Sequence, residues 1–171
     1  MNKIRKAIVA VAGSGTRFLP ATKTMPKEML PIVDKPIIQL VAEELVEAGI
    51  EDIILVTKWD KKPLEDHFDH NWALANELKE AGKLKRLEEI KRISDMANFI
   101  YVRQKGPYGN GTPVLSAASL VENESFVYVL GVDAIRYYVK NGGIFLAKKV
   151  DNGEWLTTGD PLNYLKPIFN T

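Results

Sequence analysis

The sequence predicts an α/β fold in which helices cover a mostly parallel sheet. Residues 6–12 form a short apolar, partly β-branched segment that is typical of a buried strand. Residues 36–49 begin with proline, end with glycine and carry apolar residues at helical spacing, which predicts an amphipathic helix. A second apolar segment at residues 53–56 completes the strand–helix–strand order of a parallel sheet.

The elements that follow alternate helices with strands in the same way. They are, in chain order, a helix at 61–78, a charged helix at 83–93, a strand at 99–102, a helix at 112–120 and a strand at 126–130. Later patterns predict helices at 134–140 and 160–169 and short strands at 144–149 and 153–156. We therefore expect one compact domain, with an α/β core at residues 1–131 and a C-terminal segment at 132–171 packed on it.

The composition narrows the class of protein. A chain of 171 residues that is 46% hydrophobic and 26% charged is long enough for one soluble domain with a sizeable core. Its net charge of +1 argues against a surface that binds a nucleic acid polymer. The absence of cysteine excludes disulfides and thiolate chemistry and favours a cytoplasmic location. No apolar segment approaches the length of a membrane span, so we expect no membrane partner.

A glycine-rich turn directly after the first predicted strand is the main functional signal. Gly13 and Gly15 let the backbone turn sharply and bring its N–H groups close to a ligand, because no Cβ intervenes. Such a loop binds phosphate oxygens. Arg17 adds a planar guanidinium, and Lys27, held between two prolines, adds a compact positive charge. Together they predict a site for a phosphorylated ligand.

Two better-known phosphate motifs do not fit this loop. The dinucleotide fingerprint requires a third glycine where this chain has Phe18, and the P-loop signature is absent. Neither hydride transfer nor a Walker-type ATPase is therefore indicated. A Gly-x-Gly after a strand is often only a tight turn, and a single cation is usually a surface charge. The prediction of a phosphate site therefore depends on the glycines occurring together with Arg17 and Lys27.

Residues 12–23 and 26–36 resemble the signature of the bacterial and archaeal UTP–glucose-1-phosphate uridylyltransferases, members of the sugar-nucleotidyltransferase superfamily. Shorter matches to this family occur at residues 65–69, 101–105, 158–160 and 164–166. The resemblance implies a Rossmann-like, three-layer α/β/α nucleotidyltransferase fold. It also implies transfer of UMP from UTP to glucose 1-phosphate, which gives UDP-glucose and pyrophosphate, with Mg²⁺ as the cofactor that bridges the phosphates.

The resemblance implies roles for individual residues. Arg17 and Lys27 are expected to be catalytic, because they would neutralise the triphosphate. Gln104 matches the position that reads the uracil edge, and Gly109 matches the residue beside the base. The loop residues expected to hold the nucleotide are Ala12, Gly13, Gly15 and Thr16.

The chain departs from the family after the fourth predicted strand. The family motif there is Leu-Gly-Asp-Asp, whereas this chain has Val132 in place of the first aspartate, and valine offers no oxygen to Mg²⁺. Asp133 and Asp160 remain as candidate metal ligands; the family's second metal position aligns with Thr157. Residues from Asp133 onward resemble a segment far downstream in the family. We therefore hypothesise an internal deletion that leaves the fold truncated in its sugar-binding half.

Three interpretations remain open at this stage. The chain is an active uridylyltransferase, or it is a catalytically impaired remnant that still binds the nucleotide. The third interpretation is a subunit that associates with another chain. Association with an identical chain would give a homo-oligomer, and the alternative partner is a full-length chain. Loss of the middle of the fold would favour association, since it is expected to uncover sheet edges and apolar surface.

Overall fold

A four-stranded sheet lies at the centre of the computed structural model, which describes residues 3–106, 109 and 111–129. The strands of this part are β1 (Lys6–Ala10), β2 (Pro31–Ile32), β3 (Lys35–Pro36), β4 (Asp52–Thr57), β5 (Asn98–Arg103) and β6 (Phe126–Val129). The helices are α1 (Ile37–Glu47), α2 (Lys62–Phe68), α3 (Trp72–Glu80), α4 (Leu84–Asp95) and α5 (Thr112–Val121). Strands β2 and β3 form a separate antiparallel hairpin.

The central sheet has the spatial order β5-β4-β1-β6, and all of its pairings are parallel. The chain moves outward from β1 through β4 to β5 and then returns to the opposite side of β1 to form β6. In open α/β sheets, ligands bind outside the carboxyl ends of the strands where the order reverses in this way. The order of strands therefore places a candidate ligand crevice at the end of β1.

Helices cover both faces of the sheet. Leu55 packs with Ile38 of α1 and Leu64 of α2 on one face, whereas its neighbour Ile54 packs with Ala117 of α5 on the other. Both strand residues are fully buried, as alternate side chains of a doubly covered parallel strand should be. The predicted three-layer α/β/α architecture is confirmed in this part of the chain.

One predicted helix is wrong. The segment at 61–78 forms two helices, because α2 ends at Phe68, the backbone of the next residue, Asp69, is extended (φ −80°, ψ 154°), and α3 begins after Asn71. The side-chain oxygen of Asn71 accepts a hydrogen bond from the backbone N–H of Leu74 at 3.0 Å and so caps α3. This local capping competes with helical periodicity and interrupts it. The other helices and strands predicted before residue 126 are confirmed to within two residues at each end.

Several predictions fall outside the part of the chain that the structure describes. These are the elements at 134–140, 144–149, 153–156 and 160–169, the end of the strand predicted at 126–130 and the C-terminal segment at 132–171. The division into two segments therefore stays a prediction. Among the described residues, no helix combines the length and apolar character that crossing a membrane requires.

Candidate phosphate-binding site

The loop after β1 leaves the sheet through the buried Ala12 and requires glycine at position 15. Gly15 adopts a left-handed backbone conformation (φ 67°, ψ 23°) and begins the short 3₁₀ turn Thr16–Phe18. A Cβ at this position would lie 3.1 Å from Cβ of Lys27 and 3.3 Å from Cβ of Thr22. Backbone conformation and close packing therefore both favour glycine here.

The side chain of Lys27 lies against the glycine loop. A Cβ built on Gly13 would lie 3.6 Å from both Cε and Nζ of Lys27. Lys27 is half-buried and forms no ion pair with any residue that the structure describes. A cation that is partly withdrawn from water, without a carboxylate partner, beside exposed backbone N–H groups favours an anionic ligand.

The turn that carries Lys27 is anchored from the protein interior. It spans Lys27–Met29, and its middle residue, Glu28, is buried. Oε2 of Glu28 accepts a hydrogen bond from Nζ of Lys61 at 2.8 Å, and the Lys61 side chain is only 3% exposed. The other oxygen of Glu28, Oε1, is buried without a hydrogen-bond partner among the described residues. This ion pair fastens the Lys27 turn to the segment just before α2.

Arg17 lies on the turn that directly continues the glycine loop. The side chain is exposed and has no ion-pair partner within the described ranges. The next turn, Ala21–Lys23, is tied to the loop because the hydroxyl of Thr22 donates to the carbonyl oxygen of Gly15 at 2.7 Å. The two cations that the sequence singled out therefore lie on turns that flank the same loop.

Lys58 is a third cation at the loop, and sequence reasoning missed it. It is the first residue after β4, the strand beside β1, and its Nζ donates to Oγ of Ser14 at 2.9 Å. Nζ also lies 3.1 Å from a carboxylate oxygen of Asp60. The signal that would have found Lys58 is topological: the carboxyl ends of neighbouring parallel strands share one edge of the sheet.

Gln104 lies at the same edge, immediately after β5. Its backbone N–H donates to the carbonyl oxygen of Thr57 at 2.9 Å, and its side chain forms no hydrogen bond to any residue in the described part. The preceding Arg103 fixes this strand end, since it contacts Glu65 at 2.8 Å, Oγ1 of Thr57 at 3.0 Å and the carbonyl oxygen of Lys58. The side chain of Gln104 is therefore available to a ligand.

Gly109 lies at the entrance to α5. Its carbonyl oxygen accepts a hydrogen bond from the backbone N–H of Thr112 at 3.2 Å, and the residue is exposed. The structure thus describes all eight residues expected to contact the nucleotide or its phosphates. It brings Lys27 directly onto the glycine loop and places Gln104 at the same sheet edge.

The described residues contain no cluster of three or more histidine, aspartate or glutamate side chains that could form a metal site. Two carboxylates adjacent to the cations of this region, Glu28 and Asp60, are each paired with a lysine. The candidate ligands Asp133 and Asp160 lie outside the described residues.

The two histidines have contacts that account for them. Nε2 of His67 lies 3.1 Å from Oε1 of Gln39, and burial lowers the pKa of His67. His70 lies 3.3 Å from a carboxylate oxygen of Asp95 and stacks on Trp72. Both belong to the helical layer over the α1 face of the sheet rather than to the glycine loop.

A glycine loop with unpaired cations, at the switch point of an open parallel sheet, is typical of α/β proteins that bind a phosphorylated ligand. The chain belongs to the nucleotidyl transferase family, whose model matches residues 6–159. The nucleotidyltransferase membership expected from residues 12–36 is thereby confirmed.

Curated relatives within the family carry a more specific description. The chain is 54% identical to UTP–glucose-1-phosphate uridylyltransferase of Bacillus subtilis over 136 residues, which cover 80% of this chain and 47% of the relative. It is 53% identical to UTP–glucose-1-phosphate uridylyltransferase 2 of Staphylococcus saprophyticus over 135 residues, which cover 79% and 47%. The chain therefore spans about half the length of the curated relatives it matches.

Solved structures agree with this similarity. UDP-glucose pyrophosphorylase from Acinetobacter baumannii is 42% identical with a TM-score of 0.71, over 81% of this chain and 54% of that one. A UTP-bound form of the Acinetobacter enzyme matches equally well. A UDP-glucose pyrophosphorylase complexed with UDP-glucose is 46% identical with a TM-score of 0.62, over 74% of this chain and 45% of that one.

Proposed function

We propose that this chain transfers UMP from UTP to glucose 1-phosphate, giving UDP-glucose and pyrophosphate, and that the described residues form its UTP-binding part. The observation that carries the proposal is the position of Lys27, an unpaired cation against the backbone of Gly13. The similarity to uridylyltransferases, one of them solved with UTP bound, supports UTP as the ligand.

In this proposal the chemistry is positioning and neutralisation of charge. A phosphate oxygen of glucose 1-phosphate attacks the α-phosphorus of UTP, and pyrophosphate leaves. Arg17 and Lys27 are the proposed catalytic residues, because negative charge on the triphosphate develops next to their positive groups. The backbone from Ala12 to Thr16 would hold the phosphates, and Gln104 and Gly109 would contact the base.

Mg²⁺ is the proposed cofactor, in keeping with the family. When bound, it would neutralise phosphate charge, a role that needs only one or two protein carboxylates together with the substrate's own oxygens. Asp133 and Asp160 are the proposed ligands. A UTP titration with and without MgCl₂, repeated on D133N and D160N, tests them: a loss of the Mg²⁺-dependent gain in affinity identifies a ligand.

A second candidate function is nucleotide binding without turnover. Two observations favour it: the chain spans about half the length of its relatives, and Val132 replaces the first aspartate of the acidic motif. The proposed internal deletion would remove the residues that hold the sugar phosphate. A subunit that associates with an identical or a full-length chain remains the third proposal, and light scattering of the purified protein tests it.

Separate calorimetric titrations of UTP and UDP-glucose distinguish these proposals. Turnover requires UTP binding and pyrophosphate release with glucose 1-phosphate and Mg²⁺. UTP binding without any pyrophosphate release supports the second candidate. If UTP does not bind at millimolar concentration, both candidates are wrong.

A further inference from the structure

The contact between Ser14 and Lys58 joins the glycine loop to the end of β4. The Lys58 side chain is 13% exposed and its Nζ lies 2.9 Å from Oγ of Ser14. Ser14 itself is exposed and lies between Gly13 and Gly15 in the glycine loop. None of the proposed roles above uses this pair.

The direction of the hydrogen bond determines what Ser14 can do next. An ammonium group only donates, so Oγ of Ser14 must be the acceptor. The hydroxyl proton of Ser14 is then left for another acceptor, and no residue in the described ranges accepts it. Donation by Lys58 also polarises the hydroxyl and makes it a stronger donor. An anionic oxygen is the acceptor that gains most from such a donor.

We propose that Ser14 donates a hydrogen bond to a phosphate oxygen of the nucleotide at the glycine loop, and that Lys58 is the positioning residue that orients and polarises the Ser14 hydroxyl. The proposal rests on the proposed binding of UTP and extends it with a side-chain contact from the loop itself. Asp60 completes the arrangement, since it contacts the Lys58 ammonium at 3.1 Å and limits the directions in which that group can donate.

Substitution of Ser14 in the full chain tests the contact. S14A should weaken UTP binding about tenfold, since a hydrogen bond to a charged group is lost. Uridine, which has no phosphate, should bind S14A and the unmodified protein equally in ligand-observed NMR titrations. S14T keeps the hydroxyl and should restore most of the UTP affinity.

Substitution of Lys58 tests the positioning role. K58M should weaken UTP binding, and the double variant S14A/K58M should bind within about twofold of S14A alone, because the two residues act as a unit. K58R keeps a donor and should retain most of the affinity. The exposed substitutions S119A and K79M, on α5 and α3, are matched controls that should bind UTP as the unmodified chain does.

Each contrary outcome has a definite meaning. If S14A binds UTP as tightly as the unmodified chain, the phosphate contact is wrong while the UTP site stands. If S14A loses uridine as well as UTP, Ser14 has only a structural role and the proposal is overturned. Additive losses in the double variant would overturn the positioning role of Lys58. Absence of UTP binding to the unmodified chain would overturn the proposed function together with this extension of it.

Discussion

Lys61 and Glu28 form a buried ion pair at the turn that carries Lys27, with Nζ 2.8 Å from Oε2. The pair joins residues 33 positions apart and lies one residue from Lys27. Removing two charges from water is costly, so such a pair need not stabilise the fold, but loss of one partner leaves an uncompensated buried charge. Glu28 is especially sensitive because its second oxygen already lacks a partner among the described residues.

Replacement of Lys61 should strongly destabilise the protein. K61M leaves the Glu28 carboxylate buried and unpaired, which costs about 3–5 kcal/mol in free energy of unfolding. Urea denaturation followed by circular dichroism measures the change. The double variant E28M/K61M should recover most of the loss, since neither charge remains.

Lys62 provides the matched control for Lys61. It pairs with Asp66 on the surface, and both side chains are more than half exposed. K62M should therefore change the unfolding free energy far less than K61M does, since water screens an exposed pair. Equal effects of K61M and K62M would contradict the importance of the buried pair.

Replacement of Lys27 should weaken ligand binding without loss of stability. K27M removes a cation that has no partner in the described part of the chain, so no group is left unpaired. UTP affinity should fall about tenfold to a hundredfold, as expected when an interaction with a charged group is lost. Calorimetry at two salt concentrations should show a weaker salt dependence for K27M. An unchanged salt dependence would indicate that Lys27 does not contact the phosphates.

A comparison of alanine variants at Gly15 and Gly82 distinguishes backbone strain from steric overlap. Both have φ of +67°, but a Cβ at Gly15 would lie 3.1 Å from Lys27, whereas a Cβ at Gly82 would meet nothing within 4 Å. Alanine at either position should destabilise the fold by about 1 kcal/mol through the backbone. G15A should cost more than G82A and should also weaken UTP binding. Equal melting temperatures for the two variants would contradict the close contact at Gly15.

Replacement of Glu122, directly after α5, by glycine should stabilise the protein. Its backbone (φ 49°, ψ −119°) lies in a region that essentially only glycine adopts without strain. E122G should therefore raise the unfolding free energy by about 1 kcal/mol, seen as a higher melting temperature. N123G is the control, since the φ of Asn123 is not positive and glycine there only adds freedom to the unfolded chain. A lower melting temperature for E122G would be the contrary result.

His67 should make stability fall on mild acidification. Burial lowers its pKa below the ordinary value of 6.5, so the unfolded chain takes up a proton there before the folded one does. The contribution of neutral His67 to the unfolding free energy is complete above pH 6.5. It is lost as the pH falls from 6.5 towards the pKa of His67 in the folded protein. Gln39 contacts the His67 ring through Oε1, and its Nε2 donates to the carboxylate of Glu43. Glu43 is therefore linked to His67 through Gln39. Unfolding free energies of H67N should vary less between pH 5 and 7 than those of the unmodified chain, and an equal variation would contradict the role of His67.

The local signals in the sequence predicted the framework of the site. Two of these signals are the apolar strand followed by glycines and the prolines around Lys27. Each extends over only a few residues, so it can be interpreted without knowing which distant residues are in contact. The contact of Lys58 with Ser14 could not be found in this way, because it spans 44 positions and exists only once β1 and β4 are neighbours. The burial of Glu28 similarly depends on Lys61. The break between α2 and α3 was detectable in principle from Asn71, a common capping residue.

Helices α3 and α4 contain no buried residue, and the turn between them ends at Gly82, which has open space around it. Chain termini, fluorophores and inserted peptides are tolerated best where backbone and side chains contribute little to the core. The turn is therefore a suitable point for circular permutation or for attachment of a reporter. A dye placed there would leave the central strands and the glycine loop unchanged while nucleotide is titrated.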